Sequence, residues 1–197
     1  SERLIKTHHD GGEGSMLQIA LAPCSPFSVT RQLMEATSEM ASTHNVKIHT
    51  HLGETEDETR FCLDHYGMRP LDYLEDMNML NNEIWLAHGI HFDTNEIARL
   101  GNAKVGVSHC PSSNMILSSG ICPVFELEKA GVNVGLGVDG SSSNDSSNMI
   151  QELREAMLLQ RLKSGASKIS HLDAIRWGTS GSAACVGRSD IGELSVG

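Results

Sequence analysis

NVKIHTHLGE, residues 45–54, begins as an apolar strand and finishes in His49, Thr50 and His51, with Glu54 three residues beyond the last imidazole. Four other runs have the same make-up: MLQIALAP (16–23), EIWLAHGI (83–90), AKVGVSHC (103–110) and VNVGLGVDG (132–140). Each is strand-length and nearly continuous in apolar character, which is how strands covered on both faces read in a parallel sheet. Helical patterns separate them. Ser28 to His44 carries Leu33, Met34, Thr37, Met40 and Ala41 on one face, with Ser28 or Thr30 placed to cap it. TEDETRFCLDHY has early acidic residues that suit a helix start; DTNEIARLG opens on an Asp93 cap and stops at a glycine. Ser147 to Lys163 is the longest helix, and Ser170 opens another, loosened by Gly178 and Gly181. Strand–helix alternation repeated five times calls for a parallel sheet with right-handed crossovers.

Two architectures fit, a doubly wound sheet and part of a (β/α)8 barrel. Position separates them. The strand ends carry Cys24, then His51 and Glu54, then His88 and His91, then His109, then Asp139. A barrel gathers all its strand ends around one mouth, whereas a doubly wound sheet uses mainly those beside its switch point. The expectation is α/β, with residues 1–197 forming part of a (β/α)8 barrel that needs more strands than the five found.

Composition narrows the function. Net charge is −10 from 15 basic and 25 acidic residues, with no cluster of Lys and Arg to displace counterions from phosphates, so nucleic acid is not the expected partner. No apolar stretch approaches the roughly 18 residues of a membrane span, and SERLIKTHHDGGEG lacks the apolar region of a signal peptide. Five scattered cysteines without a C-x-x-C pair point to reduced thiols and a cytoplasmic setting.

Several groups could do chemistry. His51-x-x-Glu54 reads either as a hydrogen-bonded strand-end imidazole with a helix-start glutamate, or as an imidazole under a returning carboxylate. Asp139, between Gly137 and Gly140, either caps the GSSSND turn or meets a cation, because an unsatisfied carboxylate there is costly to desolvate. His88 alone would read as a satisfied core residue. Together, His51, His88 and Asp139 in one mouth form a nitrogen and carboxylate set suited to Zn²⁺ or Fe²⁺ with room for a water. His109 in VSHCPSSN either adds a polar side chain or sits beside a tight turn at Pro111. Cys110 reads as a small buried hydrophobe, His8 and His9 as solvated, and Glu56, Asp57 and Glu58 as a solvated helix start. Met149, Leu153, Met157 and Leu158 read as helical core.

IHTHLGETEDE, LAHGIHFD, VSHCPSSNM and GLGVDGSSSNDSSN, in this order, resemble the metal-dependent amidohydrolase superfamily, and within it the branch of guanine-type deaminases and triazine hydrolases. The resemblance runs from about residue 16 onward. It implies a (β/α)8 barrel of which this chain is the C-terminal half, strands four to eight. It also implies one divalent metal, Zn with Fe as the alternative, held by His51 and Asp139. Glu54 would be the proton shuttle, and His88 would contact the activated water or the substrate. Cys24 stands in APCSP where related deaminases often place a ligand-touching histidine, and this departure favours an oxopurine.

The implied reaction is hydrolytic deamination of a small nucleobase-like molecule, 8-oxoguanine to urate and ammonia. The alternatives are guanine deamination, triazine amino- or chlorohydrolysis, or an inert half-barrel. The last arises because the family's remaining ligands form a His-x-His pair that does not precede residue 16 here. DIGELSVG likewise stops where the family's small β-rich domain would resume. Exposed edges at such cuts make a homo-oligomer plausible.

Overall fold

The computed structural model describes residues 1–196. Four parallel strands form one sheet in chain order: β1 (Ile48–Leu52), β2 (Ile84–His88), β3 (Gly106–His109) and β4 (Asn133–Leu136). The register pairs His51 with Ala87, Leu52 with His88, and His109 with Leu136, which brings the strand ends level along one rim. In β1, Ile48, Thr50 and Leu52 are buried while His49 and His51 are half-exposed, the period-two pattern of a strand with two unlike faces. Ile48, Leu52, Ile84, Leu86, Val107, Val134 and Leu136 belong to one core with residues of the surrounding helices.

The helices are α1 (Glu2–His8), α2 (Arg31–His44), α3 (Glu56–Tyr66), α4 (Pro70–Asp76), α5 (Thr94–Asn102), α6 (Pro111–Ile116), α7 (Val124–Lys129), α8 (Met149–Ser164), α9 (His171–Arg176) and α10 (Ser182–Cys185). Local chemistry explains most of their ends. Thr30 and Thr55 cap α2 and α3 through their hydroxyls, and Asp93 and Ser170 close capping boxes with Glu96 and Asp173. Among the described residues, no helix is long and apolar enough to cross a membrane.

The sheet departs from expectation at its start. The run 16–23 contributes only a parallel bridge between Leu21 and Ile48. Hydrogen bonds continue beside β1, from His49 N to Leu21 O at 2.8 Å and from His51 N to Cys24 O at 2.9 Å. Pro23 lies between them and has no N–H to extend a ladder.

Four helices escaped the pattern: α1, α4, α6 and α7. Each is six or seven residues long, too short for a helical period to show. The expected turn at Pro111 is the first turn of α6, where proline needs no N–H. Leu33 is exposed on α2, and Gly101 lies inside α5, where any side chain would collide with the Ala130 carbonyl. The deepest face of α8 is Glu152, Ala156 and Gln160, whereas Met149, Leu153 and Met157 are only partly buried and Leu158 is exposed. Gln160 belongs inside because its amide donates to Cys122 O at 2.9 Å. Between α9 and α10 the helix widens into a π turn, Trp177–Gly181, across the two glycines.

Candidate metal centre

His51 stands next to last in β1, His88 ends β2, and Asp139 lies just past β4. His88 and Asp139 both take left-handed backbone angles, φ 72° and 62°. Such angles cost a non-glycine residue roughly 1–3 kcal/mol and persist where the surroundings impose them. The turn after β1 needs a true glycine: Gly53 has φ 66°, and a Cβ there would stand 2.9 Å from the Phe92 ring. That turn brings Glu54 back over the strand end.

The result is a convergence. His51 Nε2 lies 3.7 Å from Asp139 Oδ1, and His88 Nε2 lies 3.8 Å from Asp139 Oδ2 and 3.6 Å from Glu54 Oε2. One donor atom each from His51, His88 and Asp139 falls within 4.8 Å of the other two. Both imidazoles use their far nitrogen elsewhere. His51 Nδ1 donates to Cys24 O at 2.7 Å, and His88 Nδ1 meets Asn114 Oδ1 at 2.8 Å. His88 Nε2 is buried without a hydrogen-bond partner among the described residues. Two imidazole nitrogens and a carboxylate, with one nitrogen left wanting, are the donor set and the deficit that a tetrahedral zinc site removes.

Electrostatics follow the same geometry. The Asp139 carboxylate beside it raises the His51 imidazole to about 9, against the opposing effect of burial. In return His51, with help from the Ser113 hydroxyl and the Gly140 N–H, holds the Asp139 carboxyl well below the usual range despite burial. Ser113 Oγ donates to Asp139 Oδ2 at 2.5 Å.

The remaining expected residues divide. Cys24 is exposed, and its carbonyl also accepts from Thr50 Oγ1 at 3.1 Å. His49 stacks on Trp85 with ring centroids 4.9 Å apart, and burial lowers its pKa. His91 lies outside the cluster: its Nε2 donates to Ser119 O at 2.8 Å, and its carbonyl accepts from Arg69, which also clamps Glu96. His109 is wholly buried and faces Asn114 Nδ2 at 3.3 Å. Cys110 is buried, and burial pushes its thiol up. His9 is not free in solvent, since its Nδ1 accepts from Ile19 N at 2.9 Å. Glu58 is buried, accepts from Glu54 N at 2.9 Å, and is raised to about 7 by desolvation.

The reading of the sequence missed Ser113, Asn114 and Glu152. Glu152 is fully buried on α8 and accepts from Ser112 N at 3.1 Å, from Ser112 Oγ, and from Asn144 Nδ2 at 2.8 Å. It thereby ties α6 to the loop that carries Asp139, because Asn144 also donates to Val138 O at 2.8 Å. The available signal was the run Ser112-Ser113-Asn114, three small hydrogen-bonding side chains where a simple turn needs none.

Comparison with known proteins places the chain in a family. The amidohydrolase family pattern matches residues 2–197. The chain is 59% identical to 8-oxoguanine deaminase of Pseudomonas aeruginosa over its whole length, covering 44% of that protein. It is 38% identical to hydroxydechloroatrazine ethylaminohydrolase of Pseudomonas sp. strain ADP, covering 41% of it. Among solved structures, atrazine chlorohydrolase from Arthrobacter aurescens TC1 complexed with zinc superposes on 99% of the chain with a TM-score of 0.92 at 34% identity. That match covers 44% of the chlorohydrolase. An adenosine deaminase from Xanthomonas campestris with bound zinc gives 0.88 at 32% identity, over 93% of this chain and 43% of that one. The chain thus spans less than half the length of these relatives, its four-stranded sheet is an arc of a (β/α)8 barrel, and it belongs to the amidohydrolase family.

Proposed function

We propose that the protein is a metal-dependent aminohydrolase that deaminates an oxopurine, with 8-oxoguanine as substrate and urate and ammonia as products. One observation carries the reading: the donor atoms of His51, His88 and Asp139 converge within 4.8 Å, with Glu54 on the His88 side. The identity to a named 8-oxoguanine deaminase supports the substrate, and the zinc-bound relatives support zinc as the cation. Residues 1–197 then serve as a partial barrel domain. Five free cysteines, four of them buried, support a reducing, cytoplasmic setting.

His51 and Asp139 would hold the cation, with His88 Nε2 directed at it or at the reacting water. A divalent cation there supplies Lewis acidity, lowering the pKa of a water from near 16 to about 7. Glu54 takes the first proton from that water as its oxygen bonds to C2 of the purine, and passes it to the ring nitrogen beside C2. Asp139 takes the second proton from the tetrahedral carbon's hydroxyl and delivers it to the amine. The C2–N bond then breaks, ammonia leaves and a C2 carbonyl remains, so both protons of water are accounted for. Proton transfer by positioned carboxylates contributes roughly 10²–10⁴-fold.

A triazine reading shares the chemistry, since a ring carbon flanked by nitrogens and bearing a leaving group reacts alike, and the 38% match to a triazine aminohydrolase favours it as the second reading. The test is to incubate the zinc-loaded intact protein with 8-oxoguanine, guanine and a hydroxylated amino-triazine, following ammonia and urate. Urate from 8-oxoguanine with the highest kcat/KM is the expected result. Faster release from the triazine, or no urate at all, overturns the assignment.

A further inference from the structure

We propose that Asn114, held in place by His109, fixes the proton of His88 on Nδ1, so that His88 Nε2 presents a lone pair to the metal centre. The inference rests on the reading that His88 Nε2 faces the cation or the reacting water. His88, Asn114 and His109 are all buried, and they form a line: His88 Nδ1 to Asn114 Oδ1 at 2.8 Å, then Asn114 Nδ2 to His109 Nδ1 at 3.3 Å.

A carboxamide has one accepting end and one donating end. With Oδ1 toward His88, the imidazole must donate through Nδ1–H. With the amide turned over, His88 Nδ1 would accept, and a neutral ring would carry its proton on Nε2, where it blocks ligation. The tautomer of a metal-facing histidine is set by what its other nitrogen touches.

His51 shows the simpler solution. Its Nδ1 faces the Cys24 carbonyl, which can only accept, so Nδ1 keeps its proton and Nε2 is the nitrogen left to face Asp139 and the cation. His88 faces a group that can rotate, and something must stop the rotation. We assign that role to His109: fully buried and kept neutral by desolvation, it faces the amide nitrogen with Nδ1 at 3.3 Å and accepts there with its own proton on Nε2, which is buried without a hydrogen-bond partner among the described residues. The backbone of Asn114 is also fixed, its N–H donating to Cys110 O at 2.9 Å and its carbonyl accepting from Ser119 N at 2.9 Å. On the other side of the ring, Glu54 and Asp139 stand at 3.6 and 3.8 Å from Nε2, beyond a normal hydrogen bond.

Asn114 and His109 are therefore positioning residues acting through His88. The experiment is long-range ¹H–¹⁵N correlation on the histidine-labelled intact protein, metal-free, with the His88 signal assigned from a His88→Gln variant. The wild-type ring is expected to carry a proton on Nδ1. In Asn114→Ala the proton moves to Nε2 and zinc affinity falls about 10–100-fold. Asn114→Asp, which keeps an acceptor, retains the Nδ1 proton. His109→Phe frees the amide to turn and gives a mixture of the two tautomers.

A bare Nδ1 in the wild type overturns the assignment, as does a folded Asn114→Ala protein with unchanged tautomer and zinc affinity. Should Asn114→Ala fail to fold, the wild-type spectrum decides alone. Absence of urate formation would defeat the proposed reaction and leave the tautomer assignment intact, so the two failures are distinguishable.

Discussion

The turn after β1 and the turn after β3 serve the same site in opposite ways. The first, His51 to Glu54, delivers groups directly to the mouth and leaves both side chains partly exposed. The second, His109 to Asn114, is almost entirely buried and instead holds side chains that come from elsewhere. Ser113 donates to Asp139, Asn114 meets His88, and Ser112 anchors the segment to Glu152. Reactive groups need access to solvent and substrate. The groups that aim them need the reverse, because a hydrogen bond out of reach of water holds its geometry better.

This contrast predicts two kinds of failure, and the largest belongs to the exposed turn. Glu54→Gln keeps shape and removes the proton carrier, so kcat falls roughly 10²–10⁴-fold while zinc stoichiometry is unchanged. Steady-state rates beside metal analysis check it, and an unimpaired rate removes Glu54 from the chemistry. In the buried turn the expected loss is in stability. Glu152→Ala leaves Ser112 N and one of the two N–H groups of Asn144 Nδ2 without an acceptor, and two orphaned buried donors cost about 3 kcal/mol, read from urea denaturation. Ser113→Ala removes one donor from a carboxylate, worth about 1.5 kcal/mol, and lowers kcat/KM about tenfold with little change in stability. A Ser113→Ala protein that instead unfolds would erase the distinction between aiming and holding.

The same contrast explains how much could be read from the sequence. β1 to β4 were visible because strands buried among helices need continuous apolar residues, and His51, His88 and Asp139 stood out because each interrupts such a run at its end. Gly137 and Gly140 sharpened the signal by flanking the carboxylate of Asp139. Ser113 and Asn114 were hidden because serine and asparagine are the usual residues of turns, and only the fold shows what they touch. Glu152 was hidden for a different reason: on a helix between apolar neighbours it reads as a solvated charge, and its three donors come from segments 8 and 40 residues away in sequence. Pro23 likewise interrupts the run beside β1 in a way that apolar content conceals.

Glu58 gives the smallest and most discriminating test, since it does on the exposed turn what Glu152 does on the buried one. The sequence places it in a solvated acidic helix start, yet it is buried against Glu54 N and its carboxyl is raised to about 7 by desolvation. An unfolded glutamate titrates near 4.5. Below that pH both states hold the proton and burial is uncharged. Between about 4.5 and about 7 the unfolded chain releases this proton while the folded chain keeps it, so the contribution of Glu58 to stability falls as pH rises, and above about 7 it levels off. Glu58→Gln keeps an acceptor for Glu54 N and removes the titration. It is expected to gain about 1 kcal/mol at pH 8, less than the full desolvation cost because the neutral amide accepts more weakly. The difference in urea midpoint between wild type and Glu58→Gln from pH 4.5 to 8 checks the sign, because the buried neutral His109, whose own contribution rises with pH, is common to both proteins and cancels. A difference that does not grow in favour of Glu58→Gln across that window would place Glu58 in water and return the turn after β1 to the solvated helix start that its sequence suggests.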